Sequence, residues 1–209
     1  MLLFSRTITL SGSPRRVMPW ALTMTEYVKA HSELDVSLWT YSFGQPIGTV
    51  AWSAVVESQA AFAAATAGLL ADDGYFDLLE QAEDLVTTPG VDRLRRLVHG
   101  QPTGPAPMGA IASITTATAM VDRLVDAVGW SVEIAQHITE VTGAPIAVLT
   151  SAFGQMGEVA WIGVQPDLAS AEAVGEKLSA DPGYLGRMPA TKDLFIQGSG
   201  HVAQLTRIS

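Results

Sequence analysis

The sequence predicts an α+β protein made of two tandem copies of one β-α-β-β-α-β unit. The first observation behind this prediction is an internal repeat, because four short landmarks recur in the same order about 110 residues later. The second is that β-rich and helix-like segments alternate in the same order in both copies. The landmarks are Trp20 with Trp130, Phe43-Gly44-Gln45 with Phe153-Gly154-Gln155, Val50-Ala51-Trp52 with Val159-Ala160-Trp161, and Asp72-Asp73-Gly74-Tyr75 with Asp181-Pro182-Gly183-Tyr184.

The first strand and the first helix of each copy are predicted from the spacing of apolar residues. Residues 2–10 and 109–117 are rich in Ile, Leu, Thr and Ala, which is typical of strands. After each strand, apolar residues spaced three and four apart indicate a helix with one apolar stripe. Pro14 suits the first turn of such a helix, and Gly143 suits its end. The stripes are Val17, Trp20, Met24 and Val28 in copy one, and Trp130, Ile134, Ile138 and Val141 in copy two.

A hairpin and a second helix follow in each copy. Residues 35–43 and 47–57 are β-rich and are joined by a Gly-Gln-Pro turn, and residues 146–153 and 157–165 repeat the pattern. Ser58 and Asp167 are predicted to cap the helices that come next, because a short polar side chain there can accept a backbone N–H.

A last strand is predicted over residues 92–98 in copy one and 192–208 in copy two. Residues 99–108 carry three prolines and are predicted to be a linker. The expected organisation is therefore a first ferredoxin-like repeat over residues 1–98, the linker over 99–108, and a second ferredoxin-like repeat over 109–209.

Composition excludes several classes of function. The formal net charge is −9 at pH 7, so neither a nucleic-acid partner nor an anionic membrane surface is expected. The small basic cluster of Arg93, Arg95 and Arg96 is interpreted as displayed to solvent. The sequence has no cysteine, which removes disulfides, thiolate nucleophiles and zinc–thiolate sites. No membrane insertion and no signal peptide are expected, and a cytoplasmic location follows as the default.

Four strands with two helices on one face leave the other sheet face bare, and that face is expected to carry Trp39 and Tyr41. Pairing the two sheets would cover it. With this element order, the tryptophan on the first helix and the repeated Asp-x-Gly-Tyr turn, the chain resembles the dimeric α+β barrel superfamily in its fused, pseudo-dimeric form. That superfamily includes antibiotic-biosynthesis monooxygenase-like, NIPSNAP-like and chlorite-dismutase-like proteins. The resemblance implies a ligand pocket between sheet and helices, used by some members for cofactor-free oxygenation and by others for haem.

One candidate catalytic group is His137. Glu133, His137 and Glu140 fall on one face of the second copy's first helix, where a carboxylate could orient the imidazole for general base work. The competing interpretation is a solvated polar face. Tyr27 stands where His137 stands in the other copy, so any such chemistry would belong to one repeat only.

Aromatic residues form the second candidate site. Strand alternation places Trp39, Tyr41 and Phe43 on one face, while copy two has Leu149, Ser151 and Phe153 there. Smaller residues in copy two could leave a cavity lined by Trp39, Tyr41 and either Trp52 or Trp161, although these rings could also be plain core. The candidate catalytic residues are therefore His137 and Tyr41, and the candidate ligand-binding residues are Tyr27, Trp39, Trp52 and Trp161.

These residues favour a protein that binds a small apolar or aromatic metabolite and works as a cofactor-independent monooxygenase-like or isomerase-like enzyme. No phosphate loop, dinucleotide fingerprint, nucleophile elbow or zinc-helix motif is present in the sequence. Neither a metal nor a cofactor is expected. A haem-binding or haem-modifying protein and a non-catalytic interaction module stay open as alternatives, and assembly into a homo-oligomer is left open.

Overall fold

The eight strands of the chain join edge to edge into one closed barrel in a computed structural model, which describes residues 1–101 and 106–209. Around the barrel the strand order is β1-β3-β2-β8-β5-β7-β6-β4, and every neighbouring pair is antiparallel. The strands are β1 (Leu2–Leu10), β2 (Ser37–Phe43), β3 (Thr49–Val56), β4 (Val86–His99), β5 (Ile111–Thr118), β6 (Ile146–Phe153), β7 (Glu158–Gln165) and β8 (His201–Arg207). The helices are α1 (Pro14–His31), α2 (Gln59–Thr66), α3 (Asp73–Glu80), α4 (Leu124–Thr142), α5 (Leu168–Ala180) and α6 (Pro182–Arg187).

The two repeats build equivalent four-stranded sheets, ordered β4-β1-β3-β2 and β8-β5-β7-β6. These sheets meet at two seams, where β2 pairs with β8 and β4 pairs with β6. The last strand of each repeat therefore lies beside the first hairpin strand of the other repeat. The predicted α+β class and pseudo-dimeric barrel of two ferredoxin-like repeats are confirmed, and the sheets meet along their edges as well as across the interior.

The predicted bounds of the last strands were wrong. β4 begins at Val86, because β-branched residues there already pair with the end of β1, and shifts of register accommodate Pro89 and Gly90. In the second repeat, residues 192–200 precede the strand. A 3₁₀ helix spans Met188–Asp193, and backbone bonds to β5 and its following residues hold the next segment as a loop. Of the predicted linker, His99 belongs to β4, and residues 102–105 lie outside the described part of the chain.

The predicted helix signals are present in the structure. Ser58 Oγ accepts from the backbone N–H of Ala61 and caps α2, while Asp167 caps α5 through the N–H of Ser170. Pro14 is the first residue of α1. Gly143 ends α4 with φ of 75°, a left-handed conformation that glycine adopts without steric cost.

Apolar residues lie on both faces of the barrel wall. On the outer face, Leu38, Val50 and Trp52 are buried beneath the helices, together with Trp20 and Met24 of α1. On the inner face, strand alternation gathers a second cluster, made of Trp39, Ala51, Ala112, Ala203 and Leu205. The helices therefore cover the outside, and the two repeats fill the inside together.

Both hairpin turns lie at one end of the barrel. Because all neighbouring strands are antiparallel, β1, β2, β5 and β6 finish at the end where β3, β4, β7 and β8 begin. We call this the hairpin end, since it carries the turns formed by residues 44–48 and 154–157. Among the described residues, no helix combines the length and apolar character needed to cross a membrane.

Candidate functional site

A cleft of about 460 Å³ opens at the hairpin end of the first repeat. It lies between the start of α1, the end of β1 and the start of β3, at the rim of the barrel. The apolar part of its lining includes Val17, Met18 and Ile47. Hydroxyl-bearing residues also line it, namely Thr9, Ser11, Thr40, Tyr41, Thr49 and Thr87.

The hydroxyls of Thr9, Thr49 and Thr87 already bond to one another or to backbone. Thr49 Oγ1 donates to the carbonyl of Pro46 at 2.7 Å, and it lies 3.1 Å from Thr9 Oγ1. Thr87 Oγ1 donates to the carbonyl of Thr9 at 3.1 Å. The Tyr41 hydroxyl makes no hydrogen bond with the described residues, so it can turn to a ligand. The lining holds no charged side chain among the described residues.

In the second repeat, two buried side chains form an ion pair inside the barrel. Arg95 Nε lies 2.8 Å from Glu158 Oε1, and only 9% and 8% of the two side chains are exposed. Glu158 stands where Thr49 stands in the first repeat, and Ser151 stands where Tyr41 stands. Arg95 pairs with Ser151 across the seam, so its long side chain occupies the space that the small serine leaves.

Arg95 therefore corrects the interpretation of the basic cluster. Arg96 lies on the opposite face of β4 and is exposed, and Arg93 is half-buried, but Arg95 is buried inside the barrel. No sequence signal identified this pair, since its two members belong to different repeats.

The structure does not bring the predicted ligand-binding tryptophans together. Trp39 lies on the inner face, where its Nε1–H donates to Ser53 Oγ at 2.9 Å. Trp52 lies on the outer face and packs edge-on against Trp20, with ring centres 6.1 Å apart. Trp161 repeats this arrangement with Trp130 in the second repeat, at 6.1 Å. Trp39 and Tyr41 thus share the inner face of the barrel, while Trp52 and Trp161 lie on its outer face.

His137 and Tyr27 occupy equivalent positions and make equivalent contacts. His137 Nε2 lies 2.7 Å from Asp181 Oδ1, and the Tyr27 hydroxyl donates to Asp72 Oδ1 at 2.7 Å. Each aspartate also accepts a backbone N–H at the start of its short helix, α6 or α3. Glu133 and Glu140, the predicted partners of His137, are exposed instead.

The two aspartates are held in their charged form. The hydrogen bond from His137 is the main cause that lowers the pKa of Asp181, and a backbone bond from Tyr184 adds to it. The bond from Tyr27 likewise lowers the pKa of Asp72 and raises the pKa of Tyr27 itself. Among the described residues, no group of three His, Asp or Glu side chains is placed to hold a metal ion. The repeated Asp-x-Gly-Tyr turn was the signal that could have identified these partners.

The closed barrel of two fused βαββαβ halves is the dimeric α+β barrel fold, here supplied by one chain. Solved structures with this fold match the whole chain. An anthrone oxidase-like protein aligns with a TM-score of 0.71 at 13% identity, covering 100% of this chain and 91% of that one.

Two proteins named as monooxygenases align similarly. One, from Fusobacterium nucleatum, has a TM-score of 0.67 at 10% identity and covers 100% of this chain and 92% of its own. The other, from Lactobacillus acidophilus NCFM, has a TM-score of 0.64 at 15% identity, and the alignment covers 99% of this chain and 93% of that one. Identities this low establish the shared fold alone. No family model and no curated protein matches the chain.

Proposed function

We propose that the protein binds a small, neutral, apolar or aromatic metabolite in the cleft of the first repeat and acts on it as a cofactor-independent monooxygenase-like or isomerase-like enzyme. The observation that carries this proposal is the cleft of about 460 Å³ with an uncharged lining. Ligand pockets in proteins commonly span roughly 300–1,000 Å³, so the space suits a molecule of a few fused rings.

The lining selects for a neutral ligand. A charged group moved from water into a site without an opposite charge loses its hydration and gains no partner. An apolar ring system, by contrast, gains from contact with Val17, Met18 and Ile47. Hydroxyl groups of the lining can hydrogen-bond a carbonyl or hydroxyl of the ligand and fix its orientation.

Tyr41 is the proton-handling group of this proposal. Its hydroxyl can donate to a ligand oxygen that becomes negative when the ligand loses a proton to solvent water, and this hydrogen bond stabilises the anion. The other candidate, His137, lies in the second repeat and is bonded to Asp181, away from the cleft. Histidine is absent from the described lining, so the cleft offers no imidazole to a haem iron. The names of the fold neighbours support oxygenation of an aromatic compound as the reaction class.

Binding can be tested with 1-naphthol, a neutral aromatic compound whose fluorescence reports its environment. Ser11 lines the rim of the cleft and its side chain is exposed, so Ser11→Trp should block the entrance without disturbing the core. Met120 is the matched control, because Ser11 and Met120 donate equivalent backbone bonds to Leu85 and Leu194. We expect Ser11→Trp to abolish saturable binding and Met120→Trp to retain it. Equal binding by both variants would place the ligand elsewhere.

The role of Tyr41 is tested by Tyr41→Phe, which keeps the ring and removes the hydroxyl. Loss of one hydrogen bond should weaken binding of 1-naphthol roughly two- to tenfold. Native mass spectrometry of the protein from its own cells identifies the natural ligand, and oxygen uptake with that ligand then tests the reaction. A repeated absence of any bound small molecule, together with no 1-naphthol binding, would leave a non-catalytic interaction module.

A further inference from the structure

We infer that the Arg95–Glu158 ion pair selects the partner of each repeat, so that a first repeat closes its barrel with a second repeat and not with another copy of itself. The inference is independent of the proposed function, because it concerns only the faces by which the repeats meet. Both repeats build the same four-stranded sheet with the same two edges, so two first repeats could also meet at two seams. Side chains at the seams must therefore decide which repeats pair.

The two seams place equivalent positions opposite each other. Tyr41 of β2 faces Leu205 of β8, and Ser151 of β6 faces Arg95 of β4. Both seams shift register at the same step beyond these pairs, so the seams match residue for residue. Arg95 therefore takes the place of Leu205, and Ser151 takes the place of Tyr41.

Charge favours the pairing of unlike repeats. Arg95 Nε lies 2.8 Å from Glu158 Oε1, and Glu158 takes the place that Thr49 has in the first repeat. If two first repeats paired, each Arg95 would face Tyr41 and Thr49 of the other copy, neither of which is acidic. If two second repeats paired, each Glu158 would lie near Leu205 of the other copy. Either arrangement buries two charges of one sign without partners, which is strongly unfavourable.

Side-chain volume gives the same preference. The long Arg95 faces the short Ser151, and the large Tyr41 faces Leu205. Pairing of like repeats would set Arg95 against Tyr41 and Leu205 against Ser151. The first combination overfills the seam and the second leaves a void, and both effects destabilise a protein core.

The inference is tested on a protein whose repeats can exchange partners. A specific protease site inserted within residues 102–105 allows the chain to be cut after it has folded, so that both repeats are present but no longer tethered. The cut protein is then held in a glutathione redox buffer, at a urea concentration that permits exchange. Since the chain has no cysteine, introduced thiols report pairing alone.

The reporter of like pairing is Thr40→Cys with Arg96→Cys. In the natural assembly Thr40 faces Thr206 and Arg96 faces Thr150, at different seams. Within one repeat three strand steps separate positions 40 and 96, which is too far for a disulfide. Between two first repeats they would face each other at a Cα separation of about 4.5–5.5 Å, which suits a disulfide. Arg96→Cys with Thr150→Cys marks the natural pairing instead.

We expect the cut protein with its natural ion pair to yield few disulfide-linked first repeats. Arg95→Leu with Glu158→Thr removes the charges from both kinds of pairing and should raise that yield about tenfold or more. The matched control is Arg95→Glu with Glu158→Arg, which reverses the charges but keeps them complementary, and it should behave like the natural protein.

Equal yields in the natural and uncharged proteins, whether high or zero, would overturn the inference. Should Arg95→Leu with Glu158→Thr not fold, Arg95→Met with Glu158→Gln removes the charges at similar side-chain length and is compared in the same way. Failure of both uncharged proteins to fold would also overturn it, because the pair would then be needed for folding itself and not for the choice of partner.

Discussion

Nε2 of His137 lies 2.7 Å from Oδ1 of Asp181, and this contact joins the long helix α4 to the start of the short helix α6. The Tyr27–Asp72 bond joins α1 to α3 in the same way. Both repeats therefore use an aromatic or heteroaromatic donor to hold a capping aspartate. The chemistry of the donor has diverged while its structural task has been kept.

Acid should weaken the fold through these aspartates. Because the pKa of Asp181 is lowered in the folded protein, the unfolded chain binds more protons as the pH falls. The stability that this carboxylate contributes is fully present above its ordinary pKa of 3.8 and is lost as the pH falls through the lowered value. Urea unfolding at several acidic pH values should show this loss in the natural protein.

Asp181→Asn is the variant that tests this dependence. Asparagine can still accept the backbone N–H but does not titrate, so the acid loss of stability should be smaller than in the natural protein. Glu140→Gln, an exposed change on α4, is the control and should keep the natural dependence. An unchanged dependence in Asp181→Asn would refute the assignment.

Removing one partner of the Arg95–Glu158 pair should lower the free energy of unfolding more than removing both. Either Arg95→Leu or Glu158→Thr alone leaves a buried charge without its partner, which costs roughly 3–5 kcal/mol in such pairs. Together the two changes remove both charges, so the double variant should be more stable than either single variant. A double-mutant cycle from denaturant unfolding measures this coupling. Additive losses would mean that the two charges do not depend on each other.

The hydroxyl of Thr25 should contribute measurably to the free energy of unfolding. Trp52 Nε1–H donates to Thr25 Oγ1 at 2.7 Å inside the core, and that hydroxyl donates in turn to the carbonyl of Ala21. Thr25→Val leaves the indole N–H buried without an acceptor, which costs about 1–3 kcal/mol. Thr139→Val is the control, because Thr139 donates only to a helix carbonyl. Equal losses of unfolding free energy in both variants would contradict this expectation.

The helix caps should contribute similar amounts in the two repeats. Ser58→Ala and Asp167→Ala each remove the side-chain acceptor at the start of a helix, at a cost of roughly 1 kcal/mol. Asp167→Asn keeps an acceptor and should retain most of that stability. Thermal unfolding of the three variants provides the comparison, and a loss in Asp167→Asn as large as in Asp167→Ala would point to charge instead of capping.

The sequence was informative wherever local chemistry decides structure. Caps at Ser58 and Asp167 and the chain reversal at Gly143 follow from single residues, and the duplication was visible because Trp20 and Trp52 kept their partners in both copies. Barrel closure depends instead on register across the seams, which no short segment encodes. For this reason the sequence predicts Trp52 and Tyr41 in the lining of one cavity, whereas the two residues lie on opposite faces of the barrel wall.

The Arg95–Glu158 ion pair also could not be predicted from the sequence. Arg93 and Arg96 lie near Arg95 in the sequence, and Glu158 is 63 residues away. Only the pairing of β4 with β6 brings Glu158 within reach. The sequence predicts Tyr41 as a site residue, but it does not predict where the cleft lies. The walls of the cleft come largely from loops and helix ends, which the periodicity of apolar residues does not describe.

The exchange of final strands between the repeats sets an order on how a newly made chain can mature. Trp39 must wait for Arg207, which is synthesised long after it, before the β2 edge is paired. Until β8 emerges, that edge offers unpaired backbone groups to any other strand, so a nascent copy of this protein is most prone to join a neighbour during that interval.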